Sequence, residues 1–300
     1  MQRLPTPGLL AAALLALAFV WLPPRPAEAA ERRVAPSQSP LRIAVAAMFS
    51  PEETLSVYQE LIDYIATKLD RPVELKQRRT YQEVNDMLGA GKLDAAILCS
   101  GPYVHAQRQY GVQLLAVPVI RGNPTYHSYI IVPQGSAAKS FEDLRGKRFA
   151  FTDPLSTSGY LYPVYILVTQ GKQPATFFAK TLFTYSHDNS IEAVAEGIVD
   201  GAAVDSLIYD YLSARHPDLA SRTRIIQTSP PMGAQPVGVP RTLAPPVKQA
   251  LGHLFLSMDH DPSGQKILQR LGVDRFIAGS DTLYDGIRAM LKAVAGVRLR

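Results

Sequence analysis

Cysteine is nearly absent: Cys99 is the single one in 300 residues, so no internal disulfide can form and any thiol chemistry falls on one atom. The six histidines are dispersed, with no H-x-x-x-H or other close ligand spacing, which removes the common metal-site patterns. No G-x-S-x-G elbow occurs, so Ser158, His187 and Asp205 form only a nominal triad and an enzyme is not expected. Basic residues exceed acidic ones by only five, and Arg78-Arg79 and Arg222 to Arg224 are short solvated runs rather than a nucleic-acid stripe. Beyond the first thirty residues no apolar run is long enough to span a membrane.

Those first thirty residues have a plan of their own. Arg3 precedes an uncharged apolar run from Leu9 to Leu22, followed by Pro23, Pro24 and Ala27-Glu28-Ala29. The run is shorter than a spanning helix and ends in an A-x-A pattern, so residues 1–29 read as an export signal cleaved after Ala29. With no cysteine near the cleavage site, a lipid anchor is not expected, and the mature chain carries a net charge of +4 in an oxidising compartment. A mild positive balance favours anionic ligands by steering.

From Leu41 onward, short β-rich runs alternate with helical patterns, the signature of an α/β fold with largely parallel sheets. Strands are expected at 42–46, 73–77, 95–99, 114–120, 126–132, 148–152, 182–185, 202–205 and 224–228, and only helix after Pro245. Ser50-Pro51-Glu52-Glu53 and Thr80-x-x-Glu83 read as capping boxes. Leu55, Tyr58, Leu61, Ile62, Ile65 and Leu69 share one face of the first helix. The segments Gly91-Lys92-Leu93-Asp94-Ala95-Ala96-Ile97-Leu98-Cys99 and Gly197-Ile198-Val199-Asp200-Gly201-Ala202-Ala203-Val204-Asp205 repeat one plan: glycine, aspartate, small-residue strand, polar tip. Two lobes of like topology are expected, with Cys99 and Asp205 facing a shared cleft, because ligands sit beyond the carboxyl ends of parallel strands.

Thr152-Asp153-Pro154-Leu155-Ser156-Thr157-Ser158-Gly159-Tyr160 carries the clearest chemistry. A strand runs into three consecutive hydroxyl residues and then a helix that starts at about Gly159. Unpaired N–H groups, the positive helix end and short O–H donors make an anion socket suited to a tetrahedral oxyanion; an ordinary serine cap needs only one of the hydroxyls. Tyr185-Ser186-His187-Asp188 repeats the arrangement at the next strand-to-helix junction, where His187 is either a donor to the same anion or a structural residue beside a cap. A cationic His187 implies affinity falling as pH rises past about 6.5.

Asp153-Pro-Leu-Ser-Thr-Ser-Gly-Tyr, Ser186-His187-Asp188, Tyr126-His-Ser-Tyr-Ile-Ile-Val and Gly101-Pro102-Tyr103 together resemble the phosphate/phosphite/phosphonate-binding proteins of ABC importers, over most of Leu41 to Leu271. The resemblance implies a type II periplasmic-binding-protein fold: lobe 1 at 41–130 plus 236–300, lobe 2 at 131–228, and crossover strands near 129–132 and 228–235. It also implies an anion held by Ser156, Thr157, Ser158 and His187, with Tyr81, Tyr103 and Tyr126 from the other lobe. A monomer is expected, with a membrane permease as partner and no cofactor.

The sequence departs from that pattern in two places. Only Asp205 stands where two carboxylates hold an aminoalkyl tail, with Gln235 in the second place, so cationic ligands are doubtful. Cys99-Ser100 puts a thiol at the cleft mouth, and a cleft cysteine serves arsenite-sensing relatives. The alternative function is therefore a periplasmic sensor of arsenite or a related oxyanion that signals to a histidine kinase. Cys99 as a small buried hydrophobe is the simpler reading.

Overall fold

The computed structural model describes residues 39–296, so the expected export signal with its cleavage site, and Arg298 and Arg300, lie outside the described residues. Two sheets organise the chain. The first has the order β2 (Val73–Lys76), β1 (Leu41–Val45), β3 (Ala95–Ile97), β12 (Val237–Val239), β4 (Gln113–Val119), β13 (Arg275–Ile277). The second has the order β8 (Lys180–Phe183), β7 (Arg148–Phe151), β9 (Gly201–Asp205), β6 (Ser128–Pro133), β10 (Thr223–Thr228). In each, the first three strands are parallel and the fourth is an antiparallel strand contributed after a crossing between the sheets.

The chain crosses twice, through β5 (Thr125–Tyr126) and β11 (Met232–Gly233), which pair antiparallel with each other. The crossover expected near 129–132 is therefore displaced: those residues lie inside the second sheet, between β9 and β10. Among the described residues, the strand pairing that joins the two crossings is the short ladder at 125–126 and 232–233, so bending there moves one sheet against the other.

The likeness of the halves extends to side chains. Arg42 donates from its backbone N–H to Asp94 at 2.8 Å and from Nη2 to the Gly91 carbonyl at 3.0 Å. Arg148 does the same to Asp200 and Gly197, also at 2.8 and 3.0 Å. Each arginine ties a strand start to the Gly-x-x-Asp turn, so the third member of the repeated motif lies about 50 residues upstream of the segment that reveals it.

The helices that matter for the cleft are α1 (Pro51–Leu69), α2 (Tyr81–Gly89), α3 (Ser100–Tyr110), α4 (Tyr162–Thr169), α5 (His187–Ala195) and α6 (Ser206–Arg215). Thr80 and Glu83 form the expected capping box on α2. Ser50 caps α1 by position only, without a side-chain bond, and its backbone N–H, the group that Glu53 would take in a capping box, is held by both Asp188 oxygens at 2.9–3.0 Å. Leu55, expected on the buried face of α1, is exposed at 49%. Strand β13 interrupts the helices after Pro245; three residues are too few for a periodic signal. Behind β7, Phe149 stacks on Phe178 with ring centroids 4.4 Å apart, and Phe141 and Phe177 close the aromatic cluster. That packing fixes the strand from which the hydroxyl loop springs.

Candidate functional site

Five helix or helical-turn starts meet where the sheets' strand tips face each other, capped by Thr80, Cys99, Ser156, Ser186 and Asp205. Each points a positive dipole end at the junction, which therefore favours negative charge, although several of the first N–H groups are already taken, among them those of Tyr81, Gly159, His187, Ser206 and Leu207. With Ser50, the cap of α1, these five fall into three pairs at a constant shift of 106 residues: Ser50 with Ser156, Thr80 with Ser186, Cys99 with Asp205. By the same shift Tyr81 corresponds to His187, each the first residue of its helix.

The hydroxyl loop follows β7. Asp153 holds it, accepting from Leu155 N–H at 2.8 Å and, across the cleft, from Tyr81 N–H at 3.1 Å; burial still pushes its carboxyl pKa up. Ser156 Oγ accepts from Gly159 N–H at 3.0 Å. The helical turn Thr157–Leu161 is wide, Leu161 N–H reaching back five residues to Ser156 O at 2.9 Å, and runs on into α4. The helix thus begins two residues earlier than expected, and Thr157 and Ser158 sit in its first turn, fully buried. Wide turns of this kind inside helices recur at functional sites.

Ser100 Oγ donates to Thr157 Oγ1 at 3.0 Å and lies 2.8 Å from the Tyr126 hydroxyl, so α3, the crossover strand and the hydroxyl loop share one chain of O–H groups. Cys99 Sγ lies 3.9 Å from that Tyr126 hydroxyl. Burial, with the Asp205 charge second, pushes the thiol up to about 11, so Cys99 is a protonated, fully buried side chain at neutral pH.

His187 is neutral rather than cationic. Its Nδ1 accepts from Asp205 N–H at 3.1 Å and lies 3.1 Å from Thr152 Oγ1, which puts the ring proton on Nε2; burial pushes its pKa down to about 3. A fall in affinity through histidine titration near pH 6.5 is thereby removed as an expectation. Three buried polar atoms have no protein partner here: His187 Nε2, Ser158 Oγ and the Tyr81 hydroxyl. Leaving such groups unpaired costs about 1–3 kcal/mol each, so a cluster of them marks a place where an acceptor is met.

Asp205 closes the inner side. Its Oδ1 accepts from Leu207 N–H at 2.8 Å and its Oδ2 from the Gln235 amide. Burial pushes its carboxyl up to about 7, against the lowering effect of those hydrogen bonds. Tyr103 does not join the site: its hydroxyl donates to Asp281 at 2.8 Å, in a group with Gln107 and Arg288, and its ring packs 4.7 Å from Tyr284. The structure therefore gathers nine of the ten expected residues (Tyr81, Cys99, Ser100, Tyr126, Ser156, Thr157, Ser158, His187, Asp205) and takes Tyr103 away. Thr152, which orients His187, and Gly101, which lets α3 approach the loop, were not foreseen.

The buried pair of titrating groups gives an opposed pH dependence. Asp205 ionises at about 3.8 when unfolded and about 7 when folded, so its contribution to stability is full below 3.8 and is lost as pH rises through 7. His187, lowered from 6.5 to about 3, contributes fully above 6.5 and loses that contribution as pH falls towards 3. Asp205→Asn, with the Gln235 amide turned to offer its oxygen, removes the first effect. Its Tm relative to wild type is expected to rise by roughly 4 °C or more between pH 4 and 7 and stay level above. A pH-independent difference in parallel thermal melts counts against a buried neutral Asp205.

The family described as ABC transporter, phosphonate, periplasmic substrate-binding protein matches residues 43–284. The chain is 31% identical over 183 residues to the phosphonates-binding periplasmic protein of Escherichia coli K12, covering 59% of this chain and 54% of that one. It is 30% identical over 162 residues to the phosphate-import protein PhnD of Mycolicibacterium smegmatis, covering 50% of each. These alignments span about half the length of the curated relatives. Among solved structures it is similar to a binding protein component of an ABC phosphonate transporter from Pseudomonas aeruginosa (TM-score 0.79, 24% identity, 83% of this chain and 84% of that one). It is also similar to PhnD1 from Prochlorococcus marinus in complex with methylphosphonate (TM-score 0.77, 20% identity, 85% and 97%). At these identities the structural likeness speaks for the fold.

Proposed function

The chain belongs to the family of periplasmic substrate-binding proteins of phosphonate ABC transporters, and from that membership we propose that it captures a small phosphorus oxyanion, a phosphonate, phosphite or phosphate, for an ABC importer. The observation that carries this reading is the set of unpartnered buried groups, His187 Nε2, Ser158 Oγ and the Tyr81 hydroxyl, beside five converging helix starts. In this reading, Ser156 to Ser158 and His187 hold the anion from one lobe, and Tyr81, Ser100 and Tyr126 close on it from the other. Neutral O–H and N–H donors to a desolvated anion make charge-assisted hydrogen bonds, stronger than those in water. Closure about the crossover ladder is then the signal that a membrane permease reads. The protein acts as a monomer in the periplasm, exported by a leader cleaved after Ala29.

Sensing through Cys99 gains no support from the geometry, because the sulfur is buried, protonated and turned to Tyr126. The test is a thermal-shift panel on residues 30–300 with phosphate, phosphite, methylphosphonate, aminoethylphosphonate, sulfate and arsenite, repeated with Cys99→Ser. At a hundred times its Kd, a ligand adds about 2.7 kcal/mol, hence roughly 5–10 °C for a chain this size. A phosphorus oxyanion is expected to give that shift in both proteins. A shift with arsenite alone, lost in Cys99→Ser, turns the chain into a sensor and overturns the import reading.

A further inference from the structure

A cavity of about 520 Å³ lies beside the hydroxyl loop. Phe49, Tyr58 and Ile97 line it from one lobe and Leu207, Ile208 and Tyr211 from the other. Phe49 and Tyr211 meet edge-on across it with ring centroids 5.3 Å apart. Its inner end adjoins the anion site: Gln235, which bonds Asp205, is part of the wall, and Met48, whose carbonyl accepts from His187 N–H at 2.9 Å, is another part. The space lies between residues of both lobes and is of the size that encloses drug-sized ligands, far larger than an inorganic oxyanion needs.

The charges around it disfavour a cationic occupant. Asp205 already accepts from Leu207 N–H and from Gln235, and Asp210 at the mouth is paired with Arg121 at 3.0 Å. Arg215 lies over the Tyr211 ring, 4.6 Å from its centroid. An ammonium group entering here meets carboxylates that already hold donors, faces Arg121, Arg215 and Arg270 on the wall, and loses its water.

Resting on the import reading above, we infer that this cavity is the subsite for the organic substituent of the ligand. The preferred ligand is an alkyl- or arylphosphonate with an uncharged apolar group of several carbons, its oxyanion at the hydroxyl loop and its substituent running past the Asp205–Gln235 pair. Specificity is set by Val57, Tyr58 and Leu207 on the wall rather than by the anion donors.

Isothermal titration of the exported protein with methyl-, n-butyl-, phenyl- and 2-aminoethylphosphonate tests this. Each buried methylene is worth about fourfold in affinity, so butyl- and phenylphosphonate are expected to bind at least about tenfold more tightly than methylphosphonate, and aminoethylphosphonate more weakly than butyl. Val57→Trp, at a partly exposed wall position, is expected to erase the advantage of the larger ligands and leave methylphosphonate within about threefold; Val57→Phe serves the same end if the larger ring prevents folding. Methylphosphonate binding as tightly as the larger ligands, or a preference untouched by filling the cavity, overturns the subsite and leaves the import reading standing. Failure of every phosphonate overturns the subsite, and failure of phosphate and phosphite as well overturns the import reading.

Discussion

Replacing Thr157 and Ser158 together by alanine is expected to weaken binding of a phosphorus oxyanion by about 10²- to 10⁴-fold, since each hydrogen bond to a charged group contributes roughly 1.5–3 kcal/mol. Ser158 is the cleaner half of the change. Its Oγ is fully buried without a protein partner, so its removal deletes a ligand donor and no internal bond. Thr157 also accepts from Ser100 across the cleft at 3.0 Å, so its loss loosens the contact between lobes as well. The backbone N–H groups of the turn remain in both variants, which is why residual binding is expected rather than none. Titration calorimetry of the double variant against Cys99→Ser separates the two chemistries: the thiol variant should keep wild-type affinity. A double variant that binds as tightly as wild type removes the hydroxyl loop from the site.

Much of this site was legible because its parts are local. A cap needs a serine, threonine or aspartate at one place, and a strand tip followed by a helix start is a short pattern, so Ser156 to Ser158, Ser186 and Asp205 stand out from their neighbours alone. The repeat at Gly91 and Gly197 pointed to two like lobes, and the sheets bear this out over five strands each, β13 alone having no counterpart. The same shift of 106 residues pairs Tyr81 with His187 and Ser50 with Ser156, so the repeat extends to the helix starts as well.

What could not be read depended on partners distant in the chain. Tyr103 looks like any cleft tyrosine until Asp281, 178 residues on, takes its hydroxyl. Ser50 satisfies every local rule for a capping box, yet Asp188, 138 residues away, accepts its N–H and the side-chain cap is absent. Leu55 fits the helical period, but the period says only which side chains share a face, not where the neighbouring lobe ends. The charge on His187 was equally out of reach, because it rests on Asp205 N–H and on complete burial.

Gly101 carries the second large effect, and the expected result separates closure from folding. A Cβ built on Gly101 falls 2.4 Å from the Leu155 carbonyl and 2.8 Å from Thr157 Oγ1, both across the cleft, and a backbone carbonyl cannot swing aside. Gly101 lies in the first turn of α3, where alanine is the better helix former by up to about 1 kcal/mol. With the lobes apart the methyl group has room, so Gly101→Ala should leave the ligand-free protein as stable as wild type or slightly more so. With the lobes closed it forces the hydroxyl loop away from Ser100, a misfit worth about 1–3 kcal/mol, hence a loss of roughly five- to 150-fold in affinity. Thermal melts without ligand and calorimetry with methylphosphonate read the two signs independently. Unchanged affinity would mean that the ligand-bound protein does not bring α3 against Leu155, and the closed arrangement of Ser100, Thr157 and Tyr126 would then be no guide to how the anion is held.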